Sequence, residues 1–531
     1  SSAASDVYKR QVSMQESHQP RKVTAISAIG YGMGDLYGGG QGALVATYLA
    51  LFWNRFCGMD IGLTQSVIGM SAILSAFAAL GFGVLCDNLY RFRIGRRFGR
   101  RRLVLAFVAP TVLVGCLLWI PGLPTFLYCL VYVVWVMLAQ LFGTSYSTLP
   151  GEMTADFSER TTLSTVRLFL STASGTLIPL LGGIVLSAVG EDHPGGYMGF
   201  AFAVTSMFAL AVFICWRSTW EMSPRQAGFG IYEDSDGDSA TIAAGPIIRP
   251  ARHVTQVWLH RMSVMLREYA STLRIAEFRR HLTVYVMVMV SMDIFGQLFL
   301  FFAIYDWGVT AAFASMLLTC AVISLPLMPV FGWAIIRIGP RRLYAINFAG
   351  CLIGVAWMFA SWMLSDTMSR AAWTAFTIIG AVWFFSFKSL CGYLPWQVFP
   401  YMADVDQIVT KRYRSATFLG AQTFVRQLCS GLLSIGTGLV LAATGFDSRL
   451  DTQPASARIG IGVILLGWFA IAMTIGWVES QRMSLSKETD NMLLMEIHRL
   501  QHGGAKTDVK PEIRNTVELL TGLDYNDCWR D

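Results

Sequence analysis

Five charged residues stand inside long apolar runs of this 531-residue sequence: Asp35, Arg167, Asp293, Lys388 and Arg426. A charge at the centre of a bilayer costs about 2.5–3.5 kcal/mol unless it is paired or hydrated, so such residues face an interior cavity and carry function. A carboxylate that is paired in one conformation and takes up a proton or small cation in another links that ion to a movement of the chain. Asp35 and Asp293 are therefore the ion-coupling candidates. Arginine and lysine offer several hydrogen-bond donors to hydroxyls or to an anionic group, which makes Arg167, Lys388 and Arg426 candidates for contact with a bound solute. Tyr37, Gln41, Gln140, Tyr146, Gln297, Trp383, Tyr393 and Gln422 are expected to line the same cavity. Aromatic faces beside amides suit a sugar ring, which has apolar C–H faces and hydroxyl edges.

The charges recur. "GDLYG" (34–38) is echoed by "MDIFG" (292–296) at an offset of 258, and Arg167 is echoed by Arg426 at an offset of 259. "GVLCDNLYRFRIGRR" (83–97) is echoed by "GWAIIRIGPRR" (332–342). A chain that repeats its buried charges is expected to fold as two related halves around one central site.

The elements that must position these residues follow from hydropathy. With 54% hydrophobic and 14% charged residues and a mean hydropathy of +0.50, the composition is that of a membrane protein, since soluble chains carry about 25% charged residues. Twelve apolar runs read as spanning helices, at about 24–53, 63–86, 103–120, 125–149, 163–189, 197–216, 282–305, 311–336, 343–364, 372–398, 415–443 and 459–479. The fold class is thus all-α, with twelve transmembrane helices in two pseudo-symmetric six-helix halves and both termini cytoplasmic. That orientation puts 34 of the 41 Lys and Arg residues on the cytoplasmic side and leaves four outside (Arg55, Arg370, Arg449, Arg458), as the positive-inside rule requires. The same rule accounts for the net charge of +7 without nucleic acid. A multi-pass protein of the inner (plasma) membrane is expected, with membrane lipid and a small-molecule solute as partners.

The expected division is an N-terminal tail over 1–23, a first half over 24–216, a connection over 217–281, a second half over 282–479 and a tail over 480–531. The opening "SSAASDVYKRQVS" has no apolar core and does not read as a signal peptide; residues 1–13 read as non-native and Met14 as the native start. The connection joins an acidic linker, "YEDSDGDSA", to a basic amphipathic segment expected to lie on the inner membrane face. The cytoplasmic tail is expected to form a short amphipathic helix. The ten cysteines are scattered and read as small buried hydrophobes.

"YGMGDLYGGGQG" (31–42) holds six glycines. Gly30, Gly34, Gly38 and Gly42, continued by Ala46 and Ala50, recur every fourth residue and give one helix face the small-xxx-small pattern of close helix approach. A nucleotide loop is excluded, because no strand precedes the glycines and apolar residues follow within one span. On the cytoplasmic side, Asp87 and the arginines of "DNLYRFRIGRRFGRRR" (Arg96, Arg97, Arg100, Arg101), with Arg341 and Arg342, face acids at the inner ends of helices 4 and 10. Those acids are Glu152, Asp156, Glu159, Asp404 and Asp406. They are expected to act as gate pairs that form in one state and break in the other.

With "YGMGDLY", "RFGRRRLVLAFVAP", "LPGEMTADFSERTTLSTVRLFLS" (149–171) and "FPYMADVDQ" (399–407), the chain resembles the major facilitator superfamily. Within it the chain resembles the glycoside–pentoside–hexuronide cation symporters, the family of melibiose permease, from about Arg21 to Gln501. The resemblance implies a sugar or glycoside carried with Na⁺, H⁺ or Li⁺ by alternating access, and a functional monomer. The family's helix 2 acids fall on Ser75 and Ala79 in "LSAFAAL" (74–80), and its sugar-binding acids fall on Gly39 and Phe142. The helix 5 arginine is kept as Arg167, and the helix 11 lysine is either replaced by Arg426 or displaced by a residue. The family's sodium site is therefore not expected here, and H⁺ is favoured over Na⁺ as coupling ion. No other cofactor is expected. The related alternatives are an uncoupled facilitator and a lysolipid-type transporter; from another class, a membrane sensor or partner-binding protein. The sequence contains no intramembrane histidine by these boundaries, no H-E-x-x-H and no G-x-S-x-G, so it does not read as an enzyme.

Overall fold

The computed structural model describes residues 22–89, 93–154, 157–221, 254–411, 414–447, 450 and 452–529. Of these, ten helices are long and apolar enough to cross a membrane. They include helix 2 (Ile61–Asn88), helix 4 (Thr125–Tyr146), helix 5 (Phe157–Val189), helix 6 (Pro194–Ser218) and helix 7 (Ala276–Tyr305). Helix 9 (Pro340–Met363), helix 10 (Arg370–Val398) and helix 11 (Ser415–Ala443) belong to the same set. Large apolar side chains such as Phe126, Leu168, Leu210 and Leu439 stand exposed on their flanks, which is costly against water and natural against lipid.

The remaining rods are segmented, each for a local reason. Helix 1 runs as Ala25–Gly32, Gly34–Leu44, a π turn at Val45–Leu49, and Ala50–Phe56; its glycines weaken the helix by about 1 kcal/mol each relative to alanine. Helix 3 (Arg100–Thr111) tightens into a 3₁₀ run, Val112–Trp119, just after Pro110. Helix 8 is Ala311–Leu318, a 3₁₀ turn at Thr319–Ile323, and Ser324–Ile338. Pro326 can donate no backbone hydrogen bond there and disrupts the regular ladder. Helix 12 is Ala455–Gly462, a π turn at Val463–Gly467, and Trp468–Arg482.

Starts are set by capping. Asp60 accepts from the backbone N–H groups of Gly62 and Leu63 at 2.8 and 3.2 Å, and Pro194 and Pro340 open helices 6 and 9, where a missing N–H costs nothing. Gly99 and Gly339, at φ +90° and +83°, immediately precede helices 3 and 9, the same place in each half. An L side chain is disfavoured in that conformation.

The halves meet most closely along two pairs of helices. Helix 2 packs on helix 11 through glycine: a Cβ on Gly69 would sit 2.3 Å from the carbonyl oxygen of Gly431, and one on Gly438 would sit 3.0 Å from that of Gly62. Helix 5 packs on the first segment of helix 8, with Gly183 against Ala312, Ser315 and Met316. The anticipated glycine stripe of helix 1 is divided differently. Gly30 faces Ser218 of helix 6, Gly34 faces Tyr146 of helix 4 and Cys215 of helix 6, Gly32, Gly39 and Gly40 face helix 5, and Gly42 has open space beside it.

Two boundaries differ from the sequence reading. Helix 7 begins at Ala276 and so contains His281, which is fully buried; the histidine-free interior is corrected accordingly. The tail forms two helices, Lys487–Gln501 and Pro511–Thr521, rather than one. Its Leu493, Ile497, Val517 and Leu520 are buried, the Trp529 N–H donates to Ile408 O at 2.9 Å, and Glu277 accepts from Ser484 and Leu485 N–H at 2.9 and 3.0 Å. Among its described residues the connection forms the helix Val254–Thr272; its acidic linker lies outside the described residues.

Candidate functional site

Helices 7 and 11 carry polar residues at matching four-residue spacing, which stacks them on one face of each helix. Helix 7 supplies His281, Tyr285, Asp293 and Gln297; helix 11 supplies Gln422, Arg426, Ser430 and Ser434. The rows meet as a seam. His281 Nε2 lies 3.3 Å from Gln422 Oε1, Arg426 Nη2 donates to Asp293 Oδ1 at 2.7 Å, and Ser434 Oγ donates to Gln297 Oε1 at 3.2 Å.

The middle and upper part of this seam forms one wall of a cavity of about 290 Å³. Asp293, Gln297, Thr423, Arg426, Gln427, Ser430 and Ser434 line it from the second half. Gln41, Gly42, Val45 and Ala46 of helix 1, Ile68, Ala72 and Ser75 of helix 2, and Tyr132 and Val136 of helix 4 line it from the first. Helix 1 reaches the wall where its ladder passes into the π turn, a distortion that recurs at functional sites. Gln427 Nε2 donates to Gln140 Oε1 at 3.1 Å, a hydrogen bond that joins the halves across the cavity. The polar wall is mostly neutral amides and hydroxyls, with one ion pair. Such a surface satisfies a ligand rich in hydroxyls and leaves few unpaired charges when it is empty.

The first half repeats the ion pair in a different setting. Arg167 Nε donates to Asp35 Oδ2 at 3.0 Å, joining helix 5 to helix 1. The guanidinium lies 5.0 Å from the Tyr146 ring centre. Tyr146 stacks on Tyr31 and Phe142, with ring centres 4.6 and 4.9 Å away, and its hydroxyl donates to Tyr31 O at 3.0 Å. Tyr31 and Tyr146 are fully buried. Neither Asp35 nor Arg167 is among the cavity-lining residues.

Of the other anticipated lining residues, Gln41 and Gln297 reach the cavity. Tyr37 is wholly buried against Phe142 and Phe208, with its hydroxyl unpartnered. Tyr146 and Gln422 are packed inside their own halves, the latter against His281. Trp383 is partly exposed and donates from Nε1 to Gly350 O at 3.0 Å, which ties helix 10 to helix 9. Lys388 lies over the rings of Phe295 and Phe385, at 5.1 and 5.6 Å, inside the second half. Tyr393 lies near Phe331 of helix 8. Each of these six is placed by helix packing rather than by the cavity wall. Thr423, Gln427, Ser430 and Ser434 were passed over, although the four-residue spacing from Gln422 and Arg426 points to Ser430 and Ser434.

At the end of the bundle that carries the tail, Arg100 and Arg101 pair with Glu152 at 2.7 and 3.1 Å, and Arg414 pairs with Asp406 at 2.7 Å. Each of these pairs closes within its own half. Thr154 Oγ1 donates to Glu159 at 2.6 Å, and Arg341 Nε donates to Gln481 at 3.4 Å. Arg96, Arg97 and Arg342 are exposed, and Asp404 is half-buried. Asp156 and the side chain of Asp87 lie outside the described residues.

Comparison with known proteins places this geometry. A family model described as MFS/sugar transport protein matches residues 30–228 and 260–486. YagG of Escherichia coli K12, assigned by name to the glycoside/cation symporters, is 26% identical over 215 residues, or 38% of this chain and 46% of YagG. The chain spans about half the length of the first curated relatives it matches. The symporter YjmB of Bacillus subtilis 168, whose name carries no substrate, is 22% identical over 86% of this chain and 91% of its own. Among solved structures, the D-xylose-proton symporter superposes with a TM-score of 0.58 at 12% identity, covering 85% of this chain and 96% of that one. The nucleoside transporter NupG superposes with a TM-score of 0.55 at 12% identity, covering 86% and 99%. These likenesses carry the fold, which is that of transporters and not of enzymes. With the two repeated ion pairs, the cavity between the halves and a matching family model over most of its length, the chain belongs to the MFS/sugar transport protein family.

Proposed function

We propose that the protein is a secondary transporter that moves a neutral, hydroxyl-rich solute, a sugar or glycoside, across the inner (plasma) membrane by alternating access. Twelve helices cross the membrane, both termini are cytoplasmic, and the protein works as a monomer. The observation that carries this reading is the cavity between the halves, walled by Gln41, Ser75, Gln297, Gln427, Ser430 and Ser434 around a single ion pair. Amides and hydroxyls on opposed helices can close around a ring of hydroxyls. One ion pair leaves no net charge to demand a charged solute.

Asp293 is the ion-linked carboxylate in this reading. It is the acid on the cavity wall, and its side chain is 26% exposed against 7% for Asp35. A proton can reach it from the cavity, where Arg426 Nη2 is its hydrogen-bond donor. Helix 2 offers Ser75, not an acid, to the cavity, which favours H⁺ over Na⁺. Lys388 and the N-terminal pair Asp35–Arg167 hold helices in place. The pairs Arg100/Arg101–Glu152 and Asp406–Arg414 fix the cytoplasmic ends of the two halves as units that move together.

The test is uptake and exchange by purified protein in proteoliposomes, with a panel of mono- and disaccharides. Accumulation driven by an inward proton gradient, indifferent to Na⁺, is expected for at least one sugar. Exchange of a sugar without any response to a proton gradient identifies a facilitator and removes Asp293 from coupling. Absence of exchange with every sugar, beside exchange of a lysolipid, overturns the glycoside reading.

A further inference from the structure

The described gate residues lie at one end of the bundle. At the other end the carboxylate of Glu191 reaches from one half to the backbone of the other. Glu191 sits in the turn between helices 5 and 6, next to Gly190 at φ +94°, and its Oε2 accepts from the backbone N–H groups of Ala311 and Ala312 at 2.5 and 3.3 Å. Those are the first two residues of helix 8, in the second half. The neighbouring Asp192 pairs with Arg55 at the end of helix 1 at 3.0 Å, so the turn is tied to its own half while Glu191 reaches into the other. About two helical turns back along helix 5, Gly183 packs against Ala312, Ser315 and Met316.

We propose that Glu191 is a latch residue of the transport cycle: it holds the outer ends of the halves together by capping helix 8 across the interface, and it releases when the protein opens outward. The proposal rests on the alternating-access reading. The physics is that of a helix N-terminus, which presents unpaired N–H groups and about half a positive charge. A carboxylate there satisfies two donors at once. Helix 8 also keeps a cap of its own, since Thr310 Oγ1 accepts from Phe313 N–H at 3.2 Å; the Glu191 contact is thus additional to local capping. Helix 8 cannot part from the 190–193 turn with that contact intact. The free energy of the contact therefore weights the equilibrium toward the state that is closed at the outer face.

The residue acts on conformation rather than on the solute, so its test reads conformation. Hydrogen exchange is followed by mass spectrometry on the full-length protein without solute, for wild type, Glu191→Gln and Glu191→Gln with Thr310→Asp. Capping contributions correspond to a shift of about 2- to 30-fold in the open fraction. Glu191→Gln is expected to speed exchange by that factor in the outer turns of helix 8, and also in residues 62–69 and 431–442, where helices 2 and 11 seal the same end. Thr310→Asp gives helix 8 a stronger cap from its own half. It is expected to restore protection locally while leaving helices 2 and 11 fast. An effect confined to helix 8 and reversed by Thr310→Asp makes Glu191 a local cap and overturns the proposal; so does unchanged exchange in both variants. Because no solute is present, these outcomes are independent of which solute the proteoliposomes carry.

Discussion

In the first half, Asp35 and Arg167 meet behind the stacked rings of Tyr31, Tyr146 and Phe142; in the second, Asp293 and Arg426 meet on the cavity wall. The pairs join equivalent helices, 1 to 5 and 7 to 11, and their sequence offsets differ by one residue. Their surroundings differ far more. Around Asp35, helix 1 is glycine and the opposing residues of helix 5 are small: Gly39 meets Ser171 and Gly40 meets Ser174. The backbones come close, and the Asp35 side chain is left 7% exposed against 26% for Asp293. In the second half Gln297 stands at the position of Gly39 and Ser430 at that of Ser171, and Gln297 accepts from Ser434 Oγ at 3.2 Å beside the cavity. One repeat has become a closed joint and the other an open wall. Sequence symmetry thus identifies where charges are buried, and the small residues beside them decide whether a charge is reachable.

The largest consequence concerns Asp293. If only the second pair is reachable, Asp293→Asn is expected to abolish accumulation of solute against its gradient while exchange of solute at equilibrium survives. The opposite ranking, with accumulation lost in Asp35→Asn and kept in Asp293→Asn, would break the comparison between the halves. Proton-gradient-driven uptake and counterflow, measured on the same vesicles, separate the two.

A second consequence is in stability. Removing one partner of a buried ion pair leaves the other charge desolvated, at a cost of about 3–5 kcal/mol, whereas removing both is often close to neutral. Asp35→Asn is expected to lower the thermal midpoint, and the double change with Arg167→Gln to recover most of the loss. Asp293→Asn costs less, because Arg426 can turn toward the cavity. A double-mutant cycle by thermal unfolding in detergent checks this. Equal coupling energies in the two halves would show that cavity exposure does not relieve the second pair.

Much of this was legible in the sequence, for physical reasons. Apolar runs long enough to span a bilayer, basic loops on alternate connections and charges inside the runs are set by the solvent, so composition and spacing alone report them. Asp35, Arg167, Asp293 and Arg426 were found that way, and so were Gln41 and Gln297. What the sequence did not carry was orientation about each helix axis. Tyr37, Tyr146 and Trp383 have the side chains of a sugar site but pack into or against their own half, because neighbouring helices, absent from any one-dimensional pattern, supply their partners. Glu191 was invisible for a related reason. It lies in a short polar turn, where a carboxylate is unremarkable until the start of helix 8 is brought to it from 120 residues away.

The smallest effect tests the outer rim of the second half. Asp306 follows helix 7 directly; its side chain is fully buried and neither carboxylate oxygen has a hydrogen-bond partner. Arg458 approaches only to 3.5 Å, with a side chain that is 44% exposed. Burial pushes the Asp306 carboxyl up from its ordinary 3.8 to about 7, against the opposing pull of Arg458. An acid whose proton is held more tightly in the folded chain than in the unfolded one loses stability as pH rises between those two values. Below about pH 4 both states are protonated and the residue is neutral in its effect; above about pH 7 the full penalty is present. Asp306→Asn removes the titration and frees Arg458 into water. It is therefore expected to raise the thermal midpoint at pH 8 and to leave it nearly unchanged at pH 4. A variant less stable than wild type at pH 8 would mean that Arg458 compensates the burial, and that the second half keeps its ion pairs tight at the rim and open only at the cavity.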